Sequence, residues 1–130
     1  MQNTLKSAVT FSGVGLHTGE AVRMTLRPAS ADYGIWFRRT DIMADGTGRD
    51  AMIRAIWSAV PAARLCTVVE NAAGVSVSTI EHLMAALAGS AIHNVLIDID
   101  GPEVPILDGS SEPFVAAFIA ALGTVVPVLV

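Results

Sequence analysis

Residues 78–89 read STIEHLMAALAG, and this stretch decides the fold because it carries the clearest helix signal in the chain. Its large apolar side chains recur every three or four residues and form one stripe: Ile80, Leu83, Met84 and Leu87. Ser78 is a residue type favoured at helix N-caps, and Gly89 is typical of the left-handed residue that ends a helix. The pattern predicts a helix from about Thr79 to Ala88.

Strands dominate the sequence on either side of this helix. In residues 20–27 (EAVRMTLR) apolar and polar side chains alternate, which predicts a half-buried strand. Further strands are predicted at 33–38, 52–57, 65–69 and 93–99, a loop at 40–50, and a second helix at 113–122. Many strands and two helices without regular β-α-β alternation predict an α+β fold.

The composition predicts one domain spanning residues 1–130. A chain of 130 residues with 52% hydrophobic and 15% charged residues can bury a core. The net charge of −4 and the lack of like-charge runs argue against a nucleic-acid partner, which would need a basic patch. Cys66 is the only cysteine, which excludes an internal disulfide and is typical of a reducing compartment.

Residues 114–130 (FVAAFIAALGTVVPVLV) contain no charge. A membrane span needs about 20 predominantly apolar residues, and this stretch is shorter and interrupted by Gly123 and Pro127. It therefore predicts a buried helix followed by a short strand, with a membrane helix as the alternative.

Glu81 and His82 stand out on the predicted helix of residues 79–88. At about 100° per residue they fall away from the apolar stripe, on a face whose other members are small: Ala85, Ala86 and Ala88. Small residues allow another surface to approach closely, whereas a free helix face usually carries Lys and Glu.

A metal site is one interpretation of this face. Neutral imidazole is the commonest side-chain metal ligand, and an adjacent carboxylate can take a proton from a water that a metal activates. The alternative is structural, because Ser78 and Glu81 match a capping box and His82 is then an ordinary surface histidine. A catalytic zinc needs three protein ligands, and His17 and His93 show no recognised ligand spacing, so these residues alone do not complete a site.

Three other features admit a functional and a structural interpretation. Residues 13–19 (GVGLHTG) form either a β-turn or a ligand loop, and Cys66 is either a core residue or a nucleophile. An acidic group either binds a hard cation or forms a solvated loop; its members are Asp98, Asp100, Glu103 and Asp108. In each case the residues alone favour the structural interpretation.

Four motifs occur in a fixed order along the chain: 13–19 (GVGLHTG), 64–67 (RLCT), 78–87 (STIEHLMAAL) and 100–110 (DGPEVPILDGS). Together they resemble the N-terminal half of UDP-3-O-acyl-N-acetylglucosamine deacetylase, the zinc enzyme of lipid A biosynthesis. The resemblance extends from Leu5 to about Leu122.

This resemblance implies a cytoplasmic hydrolase that removes the N-acetyl group from UDP-3-O-(3-hydroxyacyl)-N-acetylglucosamine. It also implies that His82 binds Zn²⁺ and that Glu81 is the general base, so the catalytic interpretation of Glu81 displaces the capping box. The residues implied to lie at the substrate cleft are Leu65, Cys66, Thr67 and His17.

The family resemblance further implies two similar α+β domains, each a mainly antiparallel sheet with two packed helices in a two-layer sandwich. The chain is similar to the first domain only, and the other zinc ligands belong to the missing second domain. We therefore expect the chain to be inactive alone and its uncovered face to promote a homodimer or aggregation. The alternatives are a non-catalytic binding module and one subunit of a split enzyme.

Overall fold

The computed structural model describes residues 2–56, 67–120 and 125–128. Nine strands and three helices lie in these ranges. In chain order they are β1 Gln2–Leu5, β2 Val9–Val14, β3 Ala21–Pro28, β4 Ile35–Arg39, α1 Thr40–Ala44, β5 Met52–Arg54, β6 Val68–Glu70, β7 Ser76–Ser78, α2 Glu81–Gly89, β8 Val95–Ile99, α3 Glu112–Ala120 and β9 Val125–Val128.

Within the described residues the main sheet is open and has five strands, in the order β2-β3-β8-β4-β5. Its neighbouring strands are antiparallel except for β4 and β8, which run parallel. Two small antiparallel sheets accompany it within the described residues, one formed by β1 and β9 and the other by β6 and β7. The sheet is therefore mainly antiparallel, as predicted.

Alternation along β3 determines which face of the sheet is buried. Val22, Met24 and Leu26 point into the core, as the period-two pattern predicts. Leu26 lies opposite Ile97 of β8, which in turn lies opposite Phe37 of β4. These three side chains are fully buried, so a one-residue slip in either pairing would expose part of the core.

Helices α2 and α3 form the second layer. The residues that they bury in the same core as the sheet are Leu83, Ala86, Leu87, Phe114 and Phe118. The ring of Phe11 on β2 meets that of Phe114 edge to face, with centroids 4.9 Å apart. This arrangement confirms the predicted α+β two-layer sandwich.

Some segments differ in secondary structure from the sequence expectation. The predicted loop at 40–50 begins with the short helix α1, because Ile42 is buried and Asp41 forms an ion pair with Arg39. The turn signals apply only after residue 44, where Gly46 has a positive φ. Strand β7 (76–78) was not predicted, since three residues are too short for a clear pattern.

Other boundaries shift by a few residues. The strand predicted at 52–57 is Met52–Arg54, and the one predicted at 93–99 is Val95–Ile99. In the strand predicted at 65–69, only β6 (68–70) can be compared, because residues 57–66 lie outside the described residues.

The ends of α2 differ from the prediction. The helix begins at Glu81 rather than Thr79, because Thr79 has a φ of 58°, which is incompatible with a right-handed helix. Gly89 is still helical, and the left-handed residue beyond the end is Ala91, with a φ of 55°.

The uncharged C-terminal stretch forms helix α3 and strand β9 in its described parts. No helix among the described residues is long and apolar enough to cross a membrane. Strand β9 pairs with β1, so Val125 lies opposite Leu5. This order of helix and strand is the one predicted from the sequence.

Candidate functional site

Glu81 and His82 are the first two residues of α2, and both are half-buried. The Oε2 atom of Glu81 accepts a hydrogen bond of 2.9 Å from the backbone amide of Thr67. The carbonyl of Thr67 in turn accepts one of 3.4 Å from the Ile80 amide. Thr67 therefore holds one Glu81 oxygen in place and leaves the other for a different partner.

The capping-box interpretation of Ser78 and Glu81 is wrong. The amide and the hydroxyl of Ser78 both donate to the carbonyl of Pro102, at 2.8 and 3.2 Å. Ile80 occupies the N-cap position, and its side chain has no acceptor for a helix amide. The Glu81 carboxylate is therefore not used to cap its own helix.

A fully buried carboxylate near α2 belongs to Glu103, which is 1% exposed. It accepts hydrogen bonds of 3.0 and 3.1 Å from the His17 amide, one of 3.0 Å from the Thr18 amide and one of 2.5 Å from the Thr79 hydroxyl. Burial raises the pKa of Glu103, whereas these hydrogen bonds lower it. The hydrogen bonds together have the larger effect, so the pKa lies below its ordinary value. The group is therefore a charged acceptor at neutral pH.

His17 lies on the turn that joins β2 and β3. The turn is closed by hydrogen bonds of 3.0 Å from the Gly15 amide to the Glu20 carbonyl and from the Gly19 amide to the Gly15 carbonyl. Gly19 has a φ of 65°, which glycine adopts without strain. The imidazole of His17 is exposed while its amide is fixed by Glu103, so the turn presents this side chain outward.

The predicted small-residue face of α2 is only partly present. Ala85 and Ala88 are exposed, but Ala86 is 1% exposed and packs in the core. The helix begins at Glu81 and its buried arc includes both Ala86 and Leu87, so the apolar stripe is wider than the sequence suggested.

The acidic group divides into buried and exposed carboxylates. Asp98 pairs with Arg27 and Arg38, Asp100 accepts the Arg23 amide, and Glu103 is buried as described above. Among the described residues, no three His, Cys, Asp or Glu side chains are grouped so that they could hold a metal ion. A shared cation site is therefore wrong for the described residues, and the solvated-loop interpretation holds only for Asp100 and Asp108, which are exposed.

The remaining predicted site residues separate into two sets. His93 serves the fold, because its Nδ1 accepts a hydrogen bond of 2.9 Å from the Asn3 amide. Leu65 and Cys66 lie outside the described residues. The structure thus brings Thr67 to Glu81 and, through Glu103, the His17 turn to Thr79 at the entrance to α2.

Sequence reasoning missed the roles of Glu103 and Thr79. A usable signal in the sequence was the apolar run that follows Glu103, residues 104–107 (VPIL). A glutamate that is fully buried is almost always paired, because an unpaired charge in the interior is costly.

The fold and this site define an α+β domain that carries a Glu-His pair on the first turn of a helix, and a glycine-rich turn that Glu103 links to the residue two before that helix. The sequence pattern of the family described as UDP-3-O-acyl N-acetylglycosamine deacetylase matches residues 2–125. The chain belongs to this family.

Curated relatives agree with this assignment. UDP-3-O-acyl-N-acetylglucosamine deacetylase from Phenylobacterium zucineum is 53% identical over 114 residues, which is 88% of this chain and 38% of the relative. The proteins of the same name from Aliivibrio fischeri and Pseudoalteromonas atlantica are 50% and 49% identical, over 88% of this chain and 36% of each relative. The chain therefore spans little more than a third of the length of these relatives.

Proposed function

We propose that residues 1–130 form the N-terminal domain of a hydrolase that removes the N-acetyl group from UDP-3-O-acyl-N-acetylglucosamine. The observation that carries the proposal is the position of Glu81 and His82 on the first turn of α2, with Glu81 held by Thr67 rather than used as a cap. Relatives that share about half of this sequence carry the name of that deacetylase. We also propose a cytoplasmic location, which rests on the family resemblance and on the low cysteine content.

Glu81 is proposed as the general base. Its Oε2 is fixed by the Thr67 amide, so Oε1 takes the proton from the attacking water. Because α2 is a regular helix anchored in the core by Leu83 and Leu87, the carboxylate starts from a rigid backbone. The His17 turn and Thr67 are proposed to contact the substrate beside it, and Leu65 and Cys66 to complete the cleft.

His82 is proposed as one ligand of Zn²⁺. When bound, zinc would act as a Lewis acid and lower the pKa of the water molecule bound to it to about 7. Imidazole suits this metal, but the described residues do not supply the three ligands that a catalytic zinc requires. We therefore propose that the other ligands come from the part of the longer relatives that this chain does not cover.

Activity can be tested by joining this chain to the remaining C-terminal part of the Phenylobacterium zucineum relative. Acetate release from UDP-3-O-acyl-N-acetylglucosamine is then measured for the joined protein and for its Glu81→Gln variant. We expect the variant to lose about 10²–10⁴-fold in kcat, because a general base contributes about that factor. Glu112→Gln is the matched control, since Glu112 is exposed on α3 and its change should leave kcat within about twofold.

Two results would contradict this proposal. Near-native turnover by Glu81→Gln would remove Glu81 from the mechanism. Binding of the nucleotide sugar without any acetate release by the joined protein would favour a binding module instead.

Zinc content gives a second, independent measurement. After extensive dialysis, the 130-residue chain should retain far less than one zinc per molecule, because one imidazole holds the metal weakly. One tightly held zinc that is lost in His82→Ala would show instead that the chain, or a dimer of it, completes the site.

A further inference from the structure

We propose that Glu103 is a positioning residue that fixes the His17 turn relative to the start of α2. This inference rests on the proposed function, in which His17, Glu81 and His82 act on the same substrate. The structure links the two segments through one buried carboxylate, although they are more than 60 residues apart in sequence.

The backbone around Glu103 lies between the two segments. On one side, the Ile106 amide donates to the Val14 carbonyl at 2.9 Å, where β2 enters the turn. On the other side, the Val104 amide donates to the Ser78 carbonyl at 3.1 Å, at the end of β7. Residues 102–106 therefore bridge the end of β2 and the approach to α2.

The side chain of Glu103 completes this bridge. The donors to its carboxylate include the amides of His17 and Thr18 on one side and the Thr79 hydroxyl on the other. These donors come from the turn that carries His17 and from the residue two before Glu81. Glu103 therefore connects two segments that are distant in sequence and does not only stabilise its own neighbours.

The turn is shaped around this carboxylate. A Cβ atom at Gly15 would collide with Oε1 of Glu103 and with the Thr18 hydroxyl. The backbone can therefore approach Glu103 closely only because residue 15 has no side chain. The close approach brings the His17 and Thr18 amides within hydrogen-bond distance.

Thr79 supplies the other half of the link. A β-branched residue at a φ of 58° is unusual and strained, and such strain persists only where the surroundings enforce it. Here the 2.5 Å hydrogen bond to Glu103 contributes to that enforcement. The left-handed turn at Thr79 directs the chain from β7 into α2, so its conformation determines where Glu81 and His82 begin.

Amide spectra of the 130-residue chain test the link without any activity. In Thr79→Val, which removes the hydroxyl but keeps the side-chain shape, we expect the amide resonances of His17 and Thr18 to shift. Thr79→Ser keeps the hydroxyl and should restore them. Unchanged His17 and Thr18 amides in Thr79→Val would overturn the proposal.

Hydrogen exchange separates positioning from general stability. In Glu103→Gln the His17 and Thr18 amides should exchange about tenfold faster or more, while amides of β8 keep their protection. Asp100→Asn is the matched control, because Asp100 also accepts one backbone amide, from Arg23, but lies outside the turn. Equal acceleration in β8 and in the turn would show a merely structural residue and overturn the proposal.

Kinetics of the joined protein complete the test. We expect Glu103→Gln to lower kcat about 10–100-fold with a smaller change in KM, because misplacing catalytic groups by about 1 Å can cost about 10²-fold. Asp100→Asn should stay within about twofold. A native kcat in Glu103→Gln, with the amide changes present, would overturn the positioning role. An inactive joined protein would count against the proposed function instead, and the amide spectra would still decide whether Glu103 links the two segments.

Discussion

Replacing Gly15 by alanine tests how tightly the turn closes on Glu103. The new Cβ would collide with Oε1 of Glu103 and with the Thr18 hydroxyl. Overpacking of this kind costs about 1–3 kcal/mol. A hydrogen bond to a charged group contributes about 1.5–3 kcal/mol, and the collision displaces at least one such bond from the buried Glu103. We therefore expect Gly15→Ala to lower the free energy of unfolding by about 3 kcal/mol or more.

Urea denaturation with linear extrapolation measures this change. Gly19→Ala is the matched control on the same turn. At Gly19 a Cβ meets no atom within 4 Å. Alanine there is therefore destabilising only through the left-handed backbone conformation, at a φ of 65°. That cost is about 1–2 kcal/mol.

The outcome that refutes this reasoning is a Gly15→Ala protein as stable as Gly19→Ala, or more stable. A double-mutant cycle then locates the cause. In a Glu103→Ala background the carboxylate is gone, and the cost of Gly15→Ala should fall by at least half. If Gly15→Ala lowers the free energy of unfolding equally in both backgrounds, the Glu103 carboxylate is not what excludes a side chain at residue 15.

Three further predictions concern the sheet, the core and the exposed surface of α3 around Ile119. Burial raises the pKa of Asp98, but its hydrogen bonds to Arg38 and Arg27 outweigh this and leave the pKa below its ordinary value. The stabilisation by Asp98 is therefore complete above the ordinary carboxyl pKa of about 4 and is lost as the pH falls through the lowered pKa of the folded state. In urea denaturation at pH 7 the native protein should be about 1 kcal/mol more stable than Asp98→Asn, since the Arg27 partner is half exposed, and this advantage should shrink as the pH falls below about 4. Leu83→Ala should cost about 2–5 kcal/mol because Leu83 is fully buried, whereas Ile119→Ala, at a side chain 63% exposed, should stay within about 0.5 kcal/mol in the same assay. Sedimentation should show association that increases with concentration and weakens in Ile119→Glu; a monomer at every concentration would contradict this.

Much of the fold could be predicted from local patterns. The alternation of Val22, Met24 and Leu26 predicted β3 and its buried face, because side chains on a strand must alternate. The three- and four-residue spacing of Leu83 and Leu87 likewise predicted α2. Both features depend on residues close together in sequence.

The start of α2 and the surroundings of Glu103 could not be predicted in the same way. Ser78 and Glu81 had the spacing of a capping box, but Pro102 and Thr67 bind those groups in the folded chain. Glu103 belonged to an acidic loop by sequence, yet the donors that stabilise its buried charge come from residues 17, 18 and 79. These interactions join distant segments, and a single sequence does not encode them as a spacing. The roles of Glu81, His82 and His17 remain predictions of the family resemblance.

The position of β8 in the middle of the main sheet affects how the protein folds during synthesis. The strand lies between β3 and β4, yet it is the last strand of that sheet to leave the ribosome. Until residue 99 has emerged, the β2–β3 hairpin and the β4–β5 pair have no shared partner, and their inner edges are unpaired. Such non-local pairing slows folding and exposes strand edges to other chains. Nascent chains of this protein should therefore be most prone to aggregation, and most dependent on chaperones, before β8 is added.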